Sequence, residues 1–216
     1  MIMVMELLDL DPDQLLSTTR AVRKRLDFTR EVPQEAIREC VAMALQAPSG
    51  SNVVTMRFVV VRDAAKRRAI GEVYGQVYAV YKASPAYPGR PTGDADRDRV
   101  QARVAASADH LGEHLGEAPV LVLGCNEGTD RASARAGLGN ILPGMWSFML
   151  AARARGLGTA WTSMHLAREK DIADIVGIPY ETVAQAVLTP LAYTKGTDFR
   201  PAPRPEPDSV IHWDAW

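Results

Sequence analysis

The chain has 216 residues, enough to bury about 70% of the surface its unfolded form exposes, so neither a disulfide nor a metal is needed to hold it folded. Its 25 basic and 26 acidic residues leave a formal net charge of -1, which provides no global field to attract nucleic acid or an anionic membrane. No stretch approaches about 18 uninterrupted apolar residues, so no membrane span is expected.

Met1–Leu10 carries Glu6 and Asp9 and has no basic leader before an apolar run, so it is read as neither signal peptide nor anchor. Asp11-Pro12-Asp13 then predicts a capped helix start. Arg20-Ala21-Val22-Arg23-Lys24-Arg25 packs four bases into six positions. If the helix continues, Arg20 and Arg23 share one face at i, i+3. Such a cluster is either a solvated face or a clamp for one anion, since the arginine fork suits phosphate.

Pro33 opens a helix predicted over Gln34–Gln46, with Ile37, Val41, Ala44 and Leu45 at helical spacing. It ends at Ala47-Pro48-Ser49-Gly50-Ser51-Asn52. That turn is either a plain helix stop, with Gly50 in a left-handed conformation, or a ligand corner whose backbone N–H groups a glycine leaves accessible. Phe58–Val61 reads as a central strand, and Asp63 as the cap of a helix running to Ile70 or on to Tyr81. Ser84–Gly93, with three prolines and two glycines, is a loop.

Asp96–Leu115 is predicted as a polar helix and Ala118–Gly124 as a buried strand. Gly139–Arg155 is uncharged until Arg153 and apolar around most of its circumference, so it must be covered on several sides, as at an oligomer interface. Thr159–Ser163, Lys170–Val176 and Ala184–Leu188 read as strand, helix and strand. The proline-rich tail from Thr194 is extended, with strand propensity at Val210–Trp213. A single α+β domain over residues 1–216 follows. Cys40 in a helix and Cys125 at a strand end fit neither a disulfide framework nor a metal site, which favours a reducing cytoplasm.

Four segments in order carry a resemblance: Arg20-Ala21-Val22-Arg23, the Ala47–Asn52 turn, Gly156-Leu157-Gly158-Thr159-Ala160-Trp161-Thr162-Ser163 after a Met/Trp-rich helix, and an Arg-Pro tail ending in Val210-Ile211-His212-Trp213. Together they resemble the FMN-dependent nitroreductase family. The resemblance implies a central mixed, mainly antiparallel sheet flanked by helices, in an intertwined homodimer with a long buried interface helix and an extended C-terminal tail. It implies FMN as cofactor, NAD(P)H as electron donor, and hydride transfer through flavin N5 to a small aromatic or conjugated acceptor such as a nitroaromatic or quinone.

By the same resemblance, Arg20 and Arg23 hold the flavin phosphate and ribityl chain. Pro48, Ser49, Gly50 and Asn52 reach FMN from the partner subunit, Trp161, Thr162 and Ser163 lie along the ring, and Arg204 completes the phosphate site. Residues 72–117 correspond to the variable substrate-covering segment. The chain departs from the family pattern at Thr19-Arg20-Ala21, which lacks a serine, and at Asn52-Val53-Val54-Thr55-Met56, which replaces Asn-x-Gln-Pro-Trp. Lys24 or Arg25 is therefore an alternative phosphate ligand. Flavin-dependent dehydrogenation, dehalogenation or flavin breakdown, and a flavin-binding module without turnover, are the alternative functions.

Tyr74, Tyr78 and Tyr81 fall at i, i+4, i+7 on one helical face, either as core packing or as a wall selecting flat substrates. His110 and His114 lack the His-Glu-x-x-His pattern, so no metal is expected and the chemistry is left to the flavin, with no catalytic side chain assigned.

Overall fold

The computed structural model describes residues 6–216, so the reading of Met1–Leu10 lies partly outside the described residues. α1 (Pro12–Thr18) starts as its sequence dictates. Asp11 Oδ1 accepts the Gln14 N–H at 2.7 Å while the Gln14 side chain accepts the Asp11 N–H at 3.1 Å. The helix does not continue into the basic cluster, and this overturns the shared helical face of Arg20 and Arg23. The Val22 N–H donates instead to the Thr159 carbonyl at 2.7 Å and Ala21 forms a lone parallel bridge with Thr159, an extended pairing that helical backbone cannot make.

After β1 (Leu26–Asp27) and α2 (Gln34–Ala44), the Ala47–Asn52 turn winds into a short 3-10 segment. The left-handed residues are Ser51 (φ 53°) and Asn52 (φ 56°), not Gly50 as expected. Asparagine tolerates that conformation because its short polar side chain bonds locally. Gly50 serves close approach: a Cβ there would stand 3.3 Å from Asn140 Oδ1.

β2 (Met56–Val61), α3 (Ala64–Ala83), α4 (Ala95–His114) and β3 (Val120–Glu127) follow, with Asp63 capping α3 through the Lys66 N–H at 2.8 Å. Cys125 lies within β3. α5 (Arg131–Ala136), unforeseen in the sequence, precedes α6 (Leu138–Ala154). β4 (Leu157–Thr159) starts and ends earlier than the strand expected at Thr159–Ser163, and the chain pairs with its neighbour again only at Thr162. α7 (Glu169–Val176) leads to β5 (Val183–Thr194), longer than the expected Ala184–Leu188. The tail is exposed, and Val210–Trp213 is not a strand: a strand needs an edge to pair with, and among the described residues this segment has none.

The sheet runs β1-β5-β3-β2 with β4 also on β5, and every strand pair is antiparallel apart from the single parallel bridge at Ala21. Because side chains alternate along a strand, β3 serves two cores. Val120 and Val122 pack with α2 and α6 around Cys40, Phe148 and Met149, whereas Leu121, Leu123 and Cys125 pack with α3, α4 and α7 around Ile70, Tyr74 and Ile172. On α6, Ile141, Met145 and Phe148 are buried, while Leu142 and Trp146 remain 40% and 39% exposed.

His165, in the turn before α7, is fully buried, and neither ring nitrogen has a hydrogen-bond partner among the described residues. Burial pushes its pKa down to about 4, against an opposing pull from Glu169. The unfolded chain therefore takes up a proton below about pH 6.5 that the folded chain refuses until about pH 4. Stability should fall by about 1.4 kcal/mol per pH unit across that window and level off below it. Urea unfolding between pH 7 and pH 4 checks this, with His165→Phe expected to lose that part of the slope.

Candidate functional site

The basic loop is shaped by what it must pair with. Arg25 donates through Nε to the Lys195 carbonyl at 2.9 Å, pairs with Asp198 at 2.5 Å, and lies 4.2 Å over the Phe199 ring. Arg20 Nη1 donates to the Arg200 carbonyl at 3.1 Å. Both therefore hold the start of the tail against the loop. Arg20, Arg23, Lys24, Arg25 and Phe199 line a cavity of about 310 Å³ to which no carboxylate side chain contributes. Arg20 and Arg23 are thus brought together as expected, by a loop and not by a helix, with Lys24 and Arg25 beside them.

Arg153 adds a further positive charge nearby and is only 4% exposed. Its Nη2 donates to Thr18 Oγ1 at 3.3 Å and to the Thr197 carbonyl at 3.0 Å, its guanidinium lies 4.9 Å over Phe199, and Nε and Nη1 have no partner among the described residues. Burial first, and Arg25 second, lower its pKa. A buried cation without a carboxylate is costly unless something else supplies negative charge.

Arg23 also lines a second cavity, of about 350 Å³, walled by Tyr74, Tyr78, Tyr81, Pro88, Trp161, Thr162, Ser163 and Met164. Here the sequence expectation for the tyrosines and for the Trp161–Ser163 segment converges. Tyr74 and Tyr78 belong to the core and to the cavity wall at once, so the two readings of the tyrosine ladder are not exclusive. The Thr162 N–H and C=O both bond Leu188 of β5, at 3.0 and 2.9 Å, and its hydroxyl lies 3.1 Å from Tyr74 Oη. Trp161 and Ser163, whose N–H groups donate no backbone hydrogen bond among the described residues, are left exposed on either side.

Burial raises the Tyr74 phenol pKa. Burial and then a hydrogen bond to Asp109 raise that of Tyr78 strongly. Asp109 was not read from the sequence, and nor were Tyr87 and Lys82, which bind the same carboxylate. Burial alone would lift the Asp109 carboxyl, but hydrogen bonds from Tyr78, Lys82 and Tyr87 outweigh it and hold the pKa low. Nothing in a lone aspartate within a polar helix signals such convergence; it depends on how α3 packs on α4.

That packing depends on Gly112, where a Cβ would fall 2.4 Å from Tyr78 Cδ1. Pro48, Ser49, Gly50 and Asn52 line neither cavity, and the Gly50 N–H instead reaches Asn140 Oδ1 on α6 at 3.4 Å. Arg204 is exposed in the tail and lines neither cavity. Within one chain these expected site residues are not gathered with the rest. No cluster of three or more metal-ligating side chains occurs among the described residues, and none of their helices is long and apolar enough to cross a membrane.

A sheet flanked by helices carries a cationic loop cavity and an aromatic cavity that share Arg23, an arrangement whose chemistry suits a ligand anionic at one end and flat at the other. Comparison with known proteins places that architecture: the sequence profile of the Nitroreductase family matches residues 16–190, and the chain belongs to that family. It is 31% identical over 164 residues to a 5,6-dimethylbenzimidazole synthase from Rhodospirillum rubrum, covering 70% of this chain and 68% of that one. Among solved structures it is similar to an oxidised iodotyrosine deiodinase bound to FMN and 3-iodo-L-tyrosine (TM-score 0.71, 22% identity, 94% and 98% of the two chains). It is also similar to a mutant of the FMN and NADPH-dependent nitroreductase NfnB from sphigopyxis sp. strain HMH (TM-score 0.67, 19% identity, 96% and 100%). At those identities the two structures bear on the fold alone.

Gly112→Ala should drive the Tyr78 ring out of its place, because the added Cβ meets ring atoms and has no flexible chain end to displace. The expected loss is about 2 kcal/mol, read by chemical denaturation, with the Tyr78 phenol titrating lower once it has left Asp109.

Proposed function

We propose that this chain is an FMN-dependent oxidoreductase that carries hydride from NADH or NADPH to a small conjugated acceptor such as a nitroaromatic or quinone. The observation that carries this reading is Arg23, shared by a cationic cavity without a carboxylate and a cavity walled by aromatic rings. The residues fit FMN: guanidinium groups suit a phosphate, the Trp161–Ser163 segment offers a flat ring a shelf, and the N–H groups of Trp161 and Ser163 are available as donors to a ring edge.

FMN, when bound, supplies the two-electron chemistry at N5. The protein supplies position and charge. Arg20 and Arg23, with Lys24 and Arg25 beside them, hold the phosphate end. The charge of Arg23 in the shared wall favours negative charge on a ring bound against it. Trp161, Thr162 and Ser163 form the shelf for the ring, fixed because Thr162 is bonded into the sheet. Tyr74, Tyr78 and Tyr81 wall the acceptor side.

The active form in this reading is a homodimer. Leu142 and Trp146 on α6, and Val53 and Val54 beside the turn, are apolar and exposed in the single chain. A second copy would cover them and bring Pro48, Ser49, Gly50, Asn52 and Arg204 to the partner's flavin, which accounts for their distance from the cavities of their own chain. The two buried free thiols, Cys40 and Cys125, fit a reducing cytoplasm.

The 31% identity to a protein named as a 5,6-dimethylbenzimidazole synthase favours a second reading, in which the bound flavin is itself broken down, since the dimethyl-substituted benzene ring with two neighbouring nitrogens in that product is already present in the flavin ring. The two are separated by stopped-flow mixing of the FMN-loaded protein with NADH or NADPH. Loss of flavin absorbance at about 450 nm on a catalytic timescale, with transfer to a nitroaromatic or quinone, is expected for the first. Failure of both nicotinamides to reduce the flavin, with chemically reduced FMN consumed by added dioxygen and a benzimidazole product formed, would establish the second.

Arg23→Ala should weaken FMN binding by at least about tenfold, the loss of one charge-assisted hydrogen bond, and should weaken riboflavin less because riboflavin has no phosphate. Fluorescence titration measures both. Gly50→Val should release FMN while leaving the fold intact by circular dichroism; unchanged affinity would mean that the turn is only a turn.

A further inference from the structure

One carboxylate joins three segments of the chain that covers the aromatic cavity. Asp109 of α4 accepts a hydrogen bond from Tyr78 Oη of α3 at 2.8 Å. Tyr87 Oη, from the 84–93 loop, lies 2.9 and 3.0 Å from its two oxygens, and Lys82 Nζ, near the end of α3, lies 3.1 Å away. The loop is tied further by Tyr81, whose Oη donates to the Ala86 carbonyl at 3.3 Å and whose ring meets that of Tyr87 edge-on at 6.0 Å. Pro88, next to Tyr87, lines the cavity, as do Tyr78 and Tyr81.

The arrangement differs from an ordinary surface ion pair. The Lys82 contact alone, with Lys82 48% exposed, would contribute little. Hydroxyl donors to an ionised acceptor are stronger, and here two of them come from different segments onto one side chain that is only 24% exposed. Each phenol has a single proton, and both protons are committed to Asp109. The ring of Tyr78 is therefore fixed at both ends, by Asp109 at its hydroxyl and by Gly112 against its edge. Loop residues 84–93, by contrast, contain no helix or strand of their own and depend on such anchors for their position.

We propose that Asp109 is the positioning residue of the acceptor cavity: it sets the Tyr78 ring in the wall and fastens the 84–93 loop through Tyr87, so that Pro88 is held at the opening and the cavity takes a flat ring. The role goes beyond the proposed oxidoreductase activity and rests on it only in taking that ring to be the electron acceptor.

The test uses the full-length, FMN-loaded protein with Asp109→Ala, Asp109→Glu and Tyr87→Phe. Three quantities are read: kcat and KM with a nitroaromatic or quinone, the rate of limited subtilisin cleavage within residues 84–93, and FMN affinity. Asp109→Ala should raise the acceptor KM about tenfold with kcat changed by less than about threefold, and should speed cleavage of the loop about tenfold, since at least one charge-assisted anchor is lost. FMN affinity should stay within about twofold, because Asp109 lines neither cavity. Tyr87→Phe should speed loop cleavage by itself, and Asp109→Glu should restore most of the KM.

Unchanged loop cleavage in Asp109→Ala and Tyr87→Phe overturns the proposal. So does a kcat loss with unchanged KM, or accelerated cleavage spread over the whole chain, which would mean a merely structural carboxylate. If no acceptor turns over, the oxidoreductase reading fails, while loop cleavage still decides the role of Asp109. If Asp109→Ala does not fold, Tyr87→Phe decides it by the same cleavage measurement.

Discussion

Strand β5 fixes the positions on which the rest of the molecule depends. Its twelve residues pair with β1, β3 and β4, and beyond β4 its Leu188 bonds both backbone groups of Thr162. A strand buried along almost its whole length must find a partner for nearly every backbone N–H and C=O, since none can turn to water. That requirement sets the shelf at Trp161–Ser163 at one point of β5 and the basic loop at another, because Tyr193 and Thr194 pair with β1 directly after Arg25. The aromatic and cationic cavities meet at Arg23 because both are hung from the same strand.

Electrostatics gives the site its character. The overall charge is close to zero, yet Arg20, Arg23, Lys24 and Arg25 share a cavity with Phe199, the buried Arg153 lies over the same ring, and Asp198 forms a salt bridge with Arg25 alone among them. Cation–π contact with Phe199 and donation to the carbonyls of residues 195, 197 and 200 relieve part of the repulsion. They also explain why the tail begins where it does, folded over the loop before it runs out exposed. An anion bound there would neutralise charge that the protein has already assembled, and would bind without the cost of gathering it.

Membership of the nitroreductase family leaves the reaction open, because a fold shared by proteins named as nitroreductase, deiodinase and benzimidazole synthase does not choose among them. In the reading proposed above, the choice lies in what surrounds the flat ligand. In this chain that region is the tyrosine face of α3, the loop after it and α4, drawn together through Gly112 and Asp109.

Much of the architecture was legible in the residues alone. Asp11 and Asp63 announced their helices because capping is local, the apolar runs announced β2, β3 and β5, and the largely apolar run of α6 announced the burial of Ile141, Met145 and Phe148. The basic cluster and the Trp161–Ser163 segment were recognisable from composition and order. Their geometry was not. The end of α1 before Arg20 is decided by Thr159, more than a hundred residues away, and the left-handed residues of the turn are Ser51 and Asn52, although a glycine stood beside them. Asp109 carries no local signal, since its partners lie 31, 27 and 22 residues earlier. The sequence by itself determined most of the elements, the charge inventory and the family, because these depend on short-range chemistry and motif order. Only the tertiary structure decided which of those side chains share a cavity, because that depends on where β5 pairs and how closely α3 approaches α4.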